Sequence, residues 1–146
     1  MPVSSGSQLV IFKLSDQRYA VPVNRTSEII RMVDITPVPR SDAYVEGIIN
    51  LRGKVVPVLN LHRKMGLPEG ERSRDSRIVV IENGEERIGM IVDGVDEVST
   101  YEEDELDSPP SVAGDNPFIK GVVKRKEDLW LLLDLDRVVG PSSQAT

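Results

Sequence analysis

Short apolar runs alternate with polar or glycine-containing turns along most of the chain. Each run has the length of a β-strand, and consecutive runs lie close enough in sequence to form hairpins. The four hairpin segments are LVIFKLSDQRYAVPV, VEGIINLRGKVVPVLNL, IVVIENGEERIGMIV and FIKGVVKRKEDLWLLLDL. This pattern predicts a mainly β protein.

Turn residues mark the middle of these segments. Gly53 can adopt the positive φ that a type II turn or a bulged three-residue turn requires. Asn83 and Gly84 suit the two central positions of a type I′ turn, the preferred two-residue hairpin loop. The last hairpin is expected to turn between Arg125 and Asp128.

Helices are expected to be few and short. In NRTSEIIRM, Asn24 is a candidate N-cap for a single helical turn or a short helix, and in TYEEDEL the residues Thr100 and Glu103 have capping-box spacing. LNLHRKMG and LDLDRVVG each place Asn or Asp before a basic residue and a final glycine. This arrangement predicts a short helix at the end of both segments.

An internal repeat relates the first half of the chain to the second. An offset of 69 residues places LVIFKLSDQRYAVPVNRTSEI on IVVIENGEERIGMIVDGVDEV without gaps, so that Glu28 matches Glu97. An offset of 74 residues places GIINLRGKVVPVLNLHRKMG on GVVKRKEDLWLLLDLDRVVG. The repeat predicts two similar β units, residues 8–66 and 78–140, each with two hairpins and a helical turn.

The repeat also bears on the shape of the sheets. Two hairpins cannot bury both faces of a flat sheet, whereas a small closed barrel buries one face and removes most exposed edges. We therefore expect two small β-barrels, and the spacing leaves open whether the units share strands. Residues 1–7 and 141–146 are predicted to be flexible ends.

Charge and composition narrow the possible functions. The chain has 146 residues and a formal net charge of −6, which argues against binding to the phosphate backbone of nucleic acid. An aromatic content of 4% removes the stacking platforms of single-strand binders. The absence of an apolar span and of a signal-peptide pattern predicts a cytoplasmic protein without direct membrane insertion.

The sequence offers few groups for catalysis. His62 is the only histidine, which excludes multi-histidine metal sites, and its neighbours indicate an exposed basic turn without a catalytic role. The usual phosphate-binding glycine loops are absent. We expect no enzyme activity, no catalytic residues, no metal, no cofactor and no small-molecule substrate. The open alternative is a small β-barrel enzyme that combines His62 with Asp93 or Asp96.

The segment LWLLLDL points instead to an interaction domain. It is apolar on both faces of its strand, with Trp130 and Leu132 on one face and Leu129, Leu131 and Leu133 on the other. One face fills a barrel, so the other must be covered by the second barrel or by another protein.

The order of these segments resembles the CheW-like domains of bacterial chemotaxis coupling proteins. YVEGIINLRGKVVPVLNLHRKMGLP is similar to the family signature G-x-x-N-L-R-G-x-x-x-P-x-x-x-L. FKLSDQRYAVPVNRTSEII resembles the family's opening hairpin, GMIVDGVDEV its V-D-x-V-x-x-V run, and FIKGVVKRKEDLWLLLDLDRVV its closing hairpin and helix. The resemblance implies one CheW-like domain over residues 8–140, mainly β, with two SH3-like five-stranded β-barrel subdomains packed side by side and a few short helices.

The resemblance also implies a function. Such proteins are cytoplasmic adaptors, recruited to receptor arrays at the inner face of the membrane, that link the cytoplasmic tip of methyl-accepting chemoreceptors to the regulatory domain of the histidine kinase CheA. The receptor tip is a helical hairpin, which suits binding of a helix in the groove between the barrels. The chain ends soon after its last helix, which favours a free-standing adaptor. The positions that match the family's receptor- and kinase-binding residues are Val23, Thr26, Glu28, Ile30, Asn50, Arg52, Val92, Asp93, Val95 and Val98.

Arg52 lies at the predicted tip of the second hairpin, where no base, nucleophile or phosphate would use it. Its guanidinium suits a bidentate contact, either with backbone carbonyls that brace the turn or with a carboxylate of a partner. The family resemblance favours the contact with a carboxylate of a partner protein. The alternative function for the whole chain is a nucleic-acid-binding double β-barrel, against which the net charge of −6 counts.

Overall fold

A computed structural model describes residues 8–109 and 117–140, which form two β-sheets and two short α-helices. The strands, in chain order, are β1 Gln8–Leu14, β2 Gln17–Pro22, β3 Thr26–Arg31, β4 Val45–Leu51, β5 Lys54–Asn60, β6 Arg77–Asn83, β7 Glu86–Val92, β8 Gly94–Thr100, β9 Leu106–Asp107, β10 Ile119–Arg125 and β11 Asp128–Leu133. The helices are α1 Leu61–Met65 and α2 Leu135–Val139. The predicted flexible ends, residues 1–7 and 141–146, lie outside the described residues.

The strand order shows that the two sequence units exchange strands. Sheet 1 has the order β8-β1-β2-β11-β10-β9, and sheet 2 has the order β3-β6-β7-β5-β4. Each sheet therefore combines the first hairpin of one unit with later strands of the other. The mainly β class with two packed sheets is confirmed, and the two-residue strand β9 makes sheet 1 six-stranded rather than five-stranded.

The hydrogen-bond registers follow the offsets found in the sequence. Leu9 pairs with Pro22 in the first hairpin, and 69 residues later Ile78 pairs with Ile91 in the third. The register shift in β3 recurs in β8, and the shift beside the glycine of β4 recurs beside the glycine of β10. The internal repeat is therefore also present in the structure. Residues related by the offset occupy equivalent positions in opposite sheets.

Each sheet curls around an apolar cluster of its own. In sheet 2, Ile30 of β3 packs against the same cluster as Leu51 of β4, although these strands lie at opposite edges. In a flat five-stranded sheet the two edge strands would be about 19 Å apart. The ion pair between Glu28 of β3 and Arg52, which directly follows β4, therefore requires the strong curvature of a barrel-like sheet. The inner cluster of sheet 1 is built in the same way from Leu9, Ile11, Ala20, Val123, Trp130 and Leu132.

A third apolar cluster, which we call the shared core, lies between the two sheets. Alternate residues of β1 and β6 enter it, so that both strands are buried on both faces. The helices add Leu61, Leu135 and Val138. The members of the shared core are Val10, Phe12, Leu14, Tyr19, Val21, Leu59, Leu61, Val79, Ile81, Ile88, Met90, Val92, Leu133, Leu135 and Val138.

The apolar run of β11 is covered mostly from within the molecule. Trp130 and Leu132 fill sheet 1, while Leu131 and Leu133 face the shared core. The side chain of Leu129 is left 50% exposed. The second sheet therefore covers most of the second face of this strand, and only its first leucine is available to a partner.

The turn of the second hairpin differs from the prediction. Leu51 pairs with Lys54, so the loop consists of two residues, Arg52 and Gly53. Their φ angles are 52° and 86°, and positive φ at both central positions is the property of a type I′ turn. The expected type II or three-residue turn is therefore wrong, because Arg52 accepts a left-handed conformation that sequence reasoning reserved for glycine.

The turn of the third hairpin is shifted by one residue from its predicted position. Asn83 pairs with Glu86, so the central residues are Gly84 and Glu85 rather than Asn83 and Gly84. Gly84 has a φ of 69° at the first central position, as in a type II′ turn. Asn83 is instead a buried strand residue, 5% exposed.

Two of the four predicted helical segments form only single 3₁₀ turns. NRTSEIIRM forms a single 3₁₀ turn, Val23–Arg25, followed by strand β3, because pairing with β6 overrides the local helical signal. The capping box of the acidic segment joins Glu102 to Glu105 around a 3₁₀ turn, so Thr100 is not its cap. Both terminal helices are confirmed, with Asn60 and Asp134 as N-caps.

A tight backbone approach at Gly47 provides a test of this fold. Gly47 has a φ of 151°, and a Cβ atom there would overlap the carbonyl group of Thr36, with the carbonyl carbon 2.7 Å away. Gly47→Ala should therefore lower the free energy of unfolding by about 2–4 kcal/mol in urea denaturation. Gly70→Ala is the matched control, since no heavy atom lies within 4 Å of its Cβ position. Equal stability of the two variants would contradict the described packing.

Candidate protein-binding site

Strand β8 presents aliphatic side chains at the margin of the shared core. Directly opposed residues of an antiparallel pair lie on the same face of the sheet. Val95 is opposite Phe12 and Val98 is opposite Val10, and both partners belong to the shared core. Val95 is half-buried, whereas Val98 is 57% exposed.

Strand β3 presents an equivalent set. Thr26 is opposite Ile81 and Ile29 is opposite Val79, so both side chains also face the shared core. The 3₁₀ turn before β3 adds Val23, which packs against that core, and Ile29 is 37% exposed. We call Val23, Ile29, Val95 and Val98 the apolar margin.

Two of the predicted site residues are parts of the core. Ile30 lies opposite Ile78 and packs inside sheet 2, and Val92 is fully buried in the shared core. Sequence reasoning selected Ile30 and missed Ile29, the exposed neighbour. The 69-residue offset contained the necessary signal, because it matches Ile29 with Val98, which was selected.

The predicted polar residues of sheet 2 contact each other. Arg52 forms an ion pair with Glu28, and their side chains are 67% and 23% exposed. Since β3 and β4 are opposite edges of the sheet, this pair links the two edges where the sheet curls. Asn50 Oδ1 accepts the backbone N–H of Gly53 at 2.8 Å and so braces the turn that carries Arg52. The carboxylate partner of Arg52 in the free chain is therefore Glu28.

Asp93 lies between β7 and β8, where the chain passes for the second time from one sheet to the other. It binds groups from two other elements. Its Oδ2 accepts the backbone N–H of Ser15 at 2.7 Å and lies 3.1 Å from His62 Nε2. Its own N–H donates to the carbonyl oxygen of Lys13 at 2.9 Å. These bonds attach helix α1 and the first hairpin to the segment from which β8 starts.

His62 is not the exposed residue that its basic neighbours suggested. It is 6% exposed, because α1 packs its first turn against the shared core and turns the imidazole towards Asp93. The structure thus brings together His62 and Asp93, the pair that a β-barrel enzyme would use. However, the hydroxyl of Ser15 donates to the carbonyl oxygen of Pro68, and no nucleophile of the described residues is hydrogen-bonded to His62. Among the described residues, the pair joins helix α1 to the crossing into β8.

Charges near the start of β8 are engaged within the chain. Arg18 donates to Asp96 at 2.5 Å and to Asp128 at 2.8 Å, and these hydrogen bonds, first that of Asp96, raise the pKa of Arg18 above its ordinary value. Within residues 8–109 and 117–140, no three His, Asp or Glu side chains come together as a metal site would require. No helix of this part of the chain has the length and apolar content needed to span a membrane.

The ten predicted site residues thus fall into two groups around one core. One group lies at the start of β3 and the tip of the second hairpin, and the other lies at the crossing into β8. In the described part of the chain, no hydrogen bond or ion pair joins the two groups directly. They are related through the shared core, against which both Val23 and Val95 pack.

Comparisons with known proteins agree with this architecture. The model of the CheW-like domain family matches residues 8–141. The chain is 32% identical over 143 residues to a chemotaxis protein CheW of Bacillus subtilis, covering 97% of this chain and 92% of that protein. It is 34% identical over 132 residues to the chemotaxis protein CheW of Thermotoga maritima, covering 90% and 87%.

A solved structure shows the same fold. The crystal structure of the scaffolding protein TtCheW from Thermoanaerobacter tengcongensis superposes with a TM-score of 0.86 at 31% identity, covering 97% of both chains. Scaffolding requires no catalysis, which agrees with the expectation that this chain is not an enzyme. The chain belongs to the CheW-like family of chemotaxis scaffold proteins.

Proposed function

We propose that this protein is the adaptor that couples methyl-accepting chemoreceptors to the histidine kinase CheA. The observation that carries the proposal is the apolar margin, where two equivalent edge strands expose aliphatic side chains beside the shared core. An exposed aliphatic strip flanked by polar anchors suits the apolar face of a helix, and the receptor tip is a helical hairpin. Glu28 and Arg52 supply such anchors on the side of β3.

A second surface suits the kinase. Val55 is 69% exposed next to the tip of the second hairpin, and Leu129 is 50% exposed next to the tip of the fourth. The 74-residue offset relates the two positions, so each sheet carries one exposed aliphatic residue at its end. The regulatory domain of CheA has the same fold by family resemblance, and these ends provide the contacts for sheet-end to sheet-end packing.

The two surfaces define the place of the protein in the cell. An adaptor with one surface for the receptor tip and one for the kinase is cytoplasmic and is recruited to receptor arrays at the inner face of the membrane. The binding test is co-elution of the purified protein with the regulatory domain of CheA, together with its incorporation into receptor–kinase assemblies. Absence of both would overturn the proposal.

A negative charge introduced at one exposed residue of each surface should separate the two contacts. Val98→Glu should weaken receptor binding at least about tenfold and leave kinase binding unchanged, because it desolvates a carboxylate in an apolar contact. Leu129→Glu should have the reverse effect and is its matched control. Pull-down with receptor fragments and titration with the kinase domain measure the two affinities. Equal effects on both partners would contradict the assignment of separate surfaces.

Arg52→Ala should leave the protein folded but weaken its assembly with receptor or kinase. The exposed ion pair with Glu28 contributes less than about 1 kcal/mol to stability, so urea denaturation should change little. Arg137→Ala, a change at an exposed arginine of α2, is the control and should alter neither stability nor assembly. Unfolding of the Arg52 variant, or unchanged assembly, would contradict a contact role.

A further inference from the structure

Several arginines that form no ion pair within the described part of the chain lie together where β3 ends and β6 begins. Arg31 is directly opposite Arg77 in the ladder between these strands. Like charges placed opposite each other destabilise a sheet. The equivalent pair in sheet 1 is Gln8 and Thr100, which carry no charge, so the fold itself does not require two arginines here.

Hydrogen bonds hold the backbone of the loop before β6, which carries a third arginine, Arg74. The N–H of Ser73 donates to Ser76 Oγ at 3.0 Å, and the N–H of Asp75 donates to Ser73 Oγ at 3.0 Å. Arg77 Nη1 donates to the carbonyl oxygens of Arg74 and Ser76 at 2.8 and 2.9 Å. Ser76 is only 2% exposed, so the loop that presents Arg74 is anchored in the protein.

These side chains surround an open cleft of about 440 Å³. It is lined by Arg31, Arg74 and Arg77, and Asp75 is the one carboxylate among the described residues that line it. None of the three arginines forms an ion pair with a carboxylate of the described residues. The cleft therefore has more positive than negative charge, in a chain whose net charge is −6.

A smaller cavity of about 190 Å³ adjoins the cleft and shares Asp75 and Arg77 with it. It contains Lys13 together with Asp93 and Asp96. The carboxylate of Asp93 is held by Ser15 and His62, and that of Asp96 is held by Arg18. Lys13 forms no ion pair with a described residue, so the smaller cavity adds one unpaired positive charge beside the larger cleft.

We propose that this cleft binds an acidic segment of a partner protein, with carboxylates engaged by Arg31, Arg74 and Arg77. Guanidinium groups match carboxylates in bidentate geometry, and the half-buried Met32 adds an apolar contact in the same cleft. The net charge of −6 opposes binding of a long polyanion such as nucleic acid, whereas a short acidic peptide needs to contact only the cleft. This inference rests on the local charges and does not depend on the adaptor function.

Fluorescence anisotropy with a labelled, alternating Glu-Ala octapeptide tests the proposal on the full chain. Binding should be saturable, should weaken as NaCl is raised, and should be absent for the corresponding Gln-Ala octapeptide. The double variant Arg31→Gln/Arg74→Gln should bind the Glu-Ala peptide at least about tenfold more weakly. Each charge-assisted hydrogen bond between a guanidinium and a carboxylate contributes to the binding free energy. It leaves Arg77, whose hydrogen bonds support the loop, in place.

The matched control is Lys120→Gln/Arg137→Gln, which removes the same charge from exposed positions outside the cleft. It should bind the Glu-Ala peptide like the unmodified protein and keep its thermal midpoint. The cleft variant should keep or raise the midpoint, since Arg31→Gln removes the like-charge pair with Arg77. Equal losses in the two double variants, or no saturable binding, would overturn the proposal. Tighter binding of a single-stranded oligonucleotide, lost in the cleft variant, would overturn the choice of an acidic peptide.

Discussion

The shared core between the two sheets is the interaction on which the rest of the structure depends. One face of each of the strands β1 and β6 packs in the inner apolar cluster of its own sheet, and the other face packs in the shared core. Because each sheet combines strands of both sequence units, neither unit contains a complete sheet of its own. Loss of the shared core would therefore expose both sheets at once, which couples the folding of the two units.

The candidate binding surface follows from this core. The chain crosses between the sheets twice, from β2 into β3 and from β7 into β8. Both β3 and β8 are edge strands, and some of the side chains on their inward faces extend past the end of the core. That geometry leaves Ile29 and Val98 exposed at equivalent positions. The bonds of Asp93 and the ion pair of Glu28 with Arg52 hold the two crossings and edges in place.

Charge is distributed unevenly over this framework. Several surface arginines are neutralised by carboxylates within the chain, as Arg18 is by Asp96 and Asp128. Arg31 has no such partner among the described residues and lies on the same face of β3 as Ile29, two residues away. The cationic cleft thus continues from one end of the apolar margin, and the two surfaces differ in the chemistry of the side chains they can accept.

The sequence by itself determined the mainly β class, the hairpins, the two terminal helices and the internal repeat, because these depend on local periodicity and turn chemistry. Only the tertiary structure decided the exchange of strands. The spacing of residues along the chain does not show which distant strands pair with each other. It also decided the one-residue shift at Gly84, the burial of His62 and the exposure of Ile29 rather than Ile30. In each of these cases, contacts with a strand or helix that is distant in the sequence determine whether a residue is paired, buried or exposed.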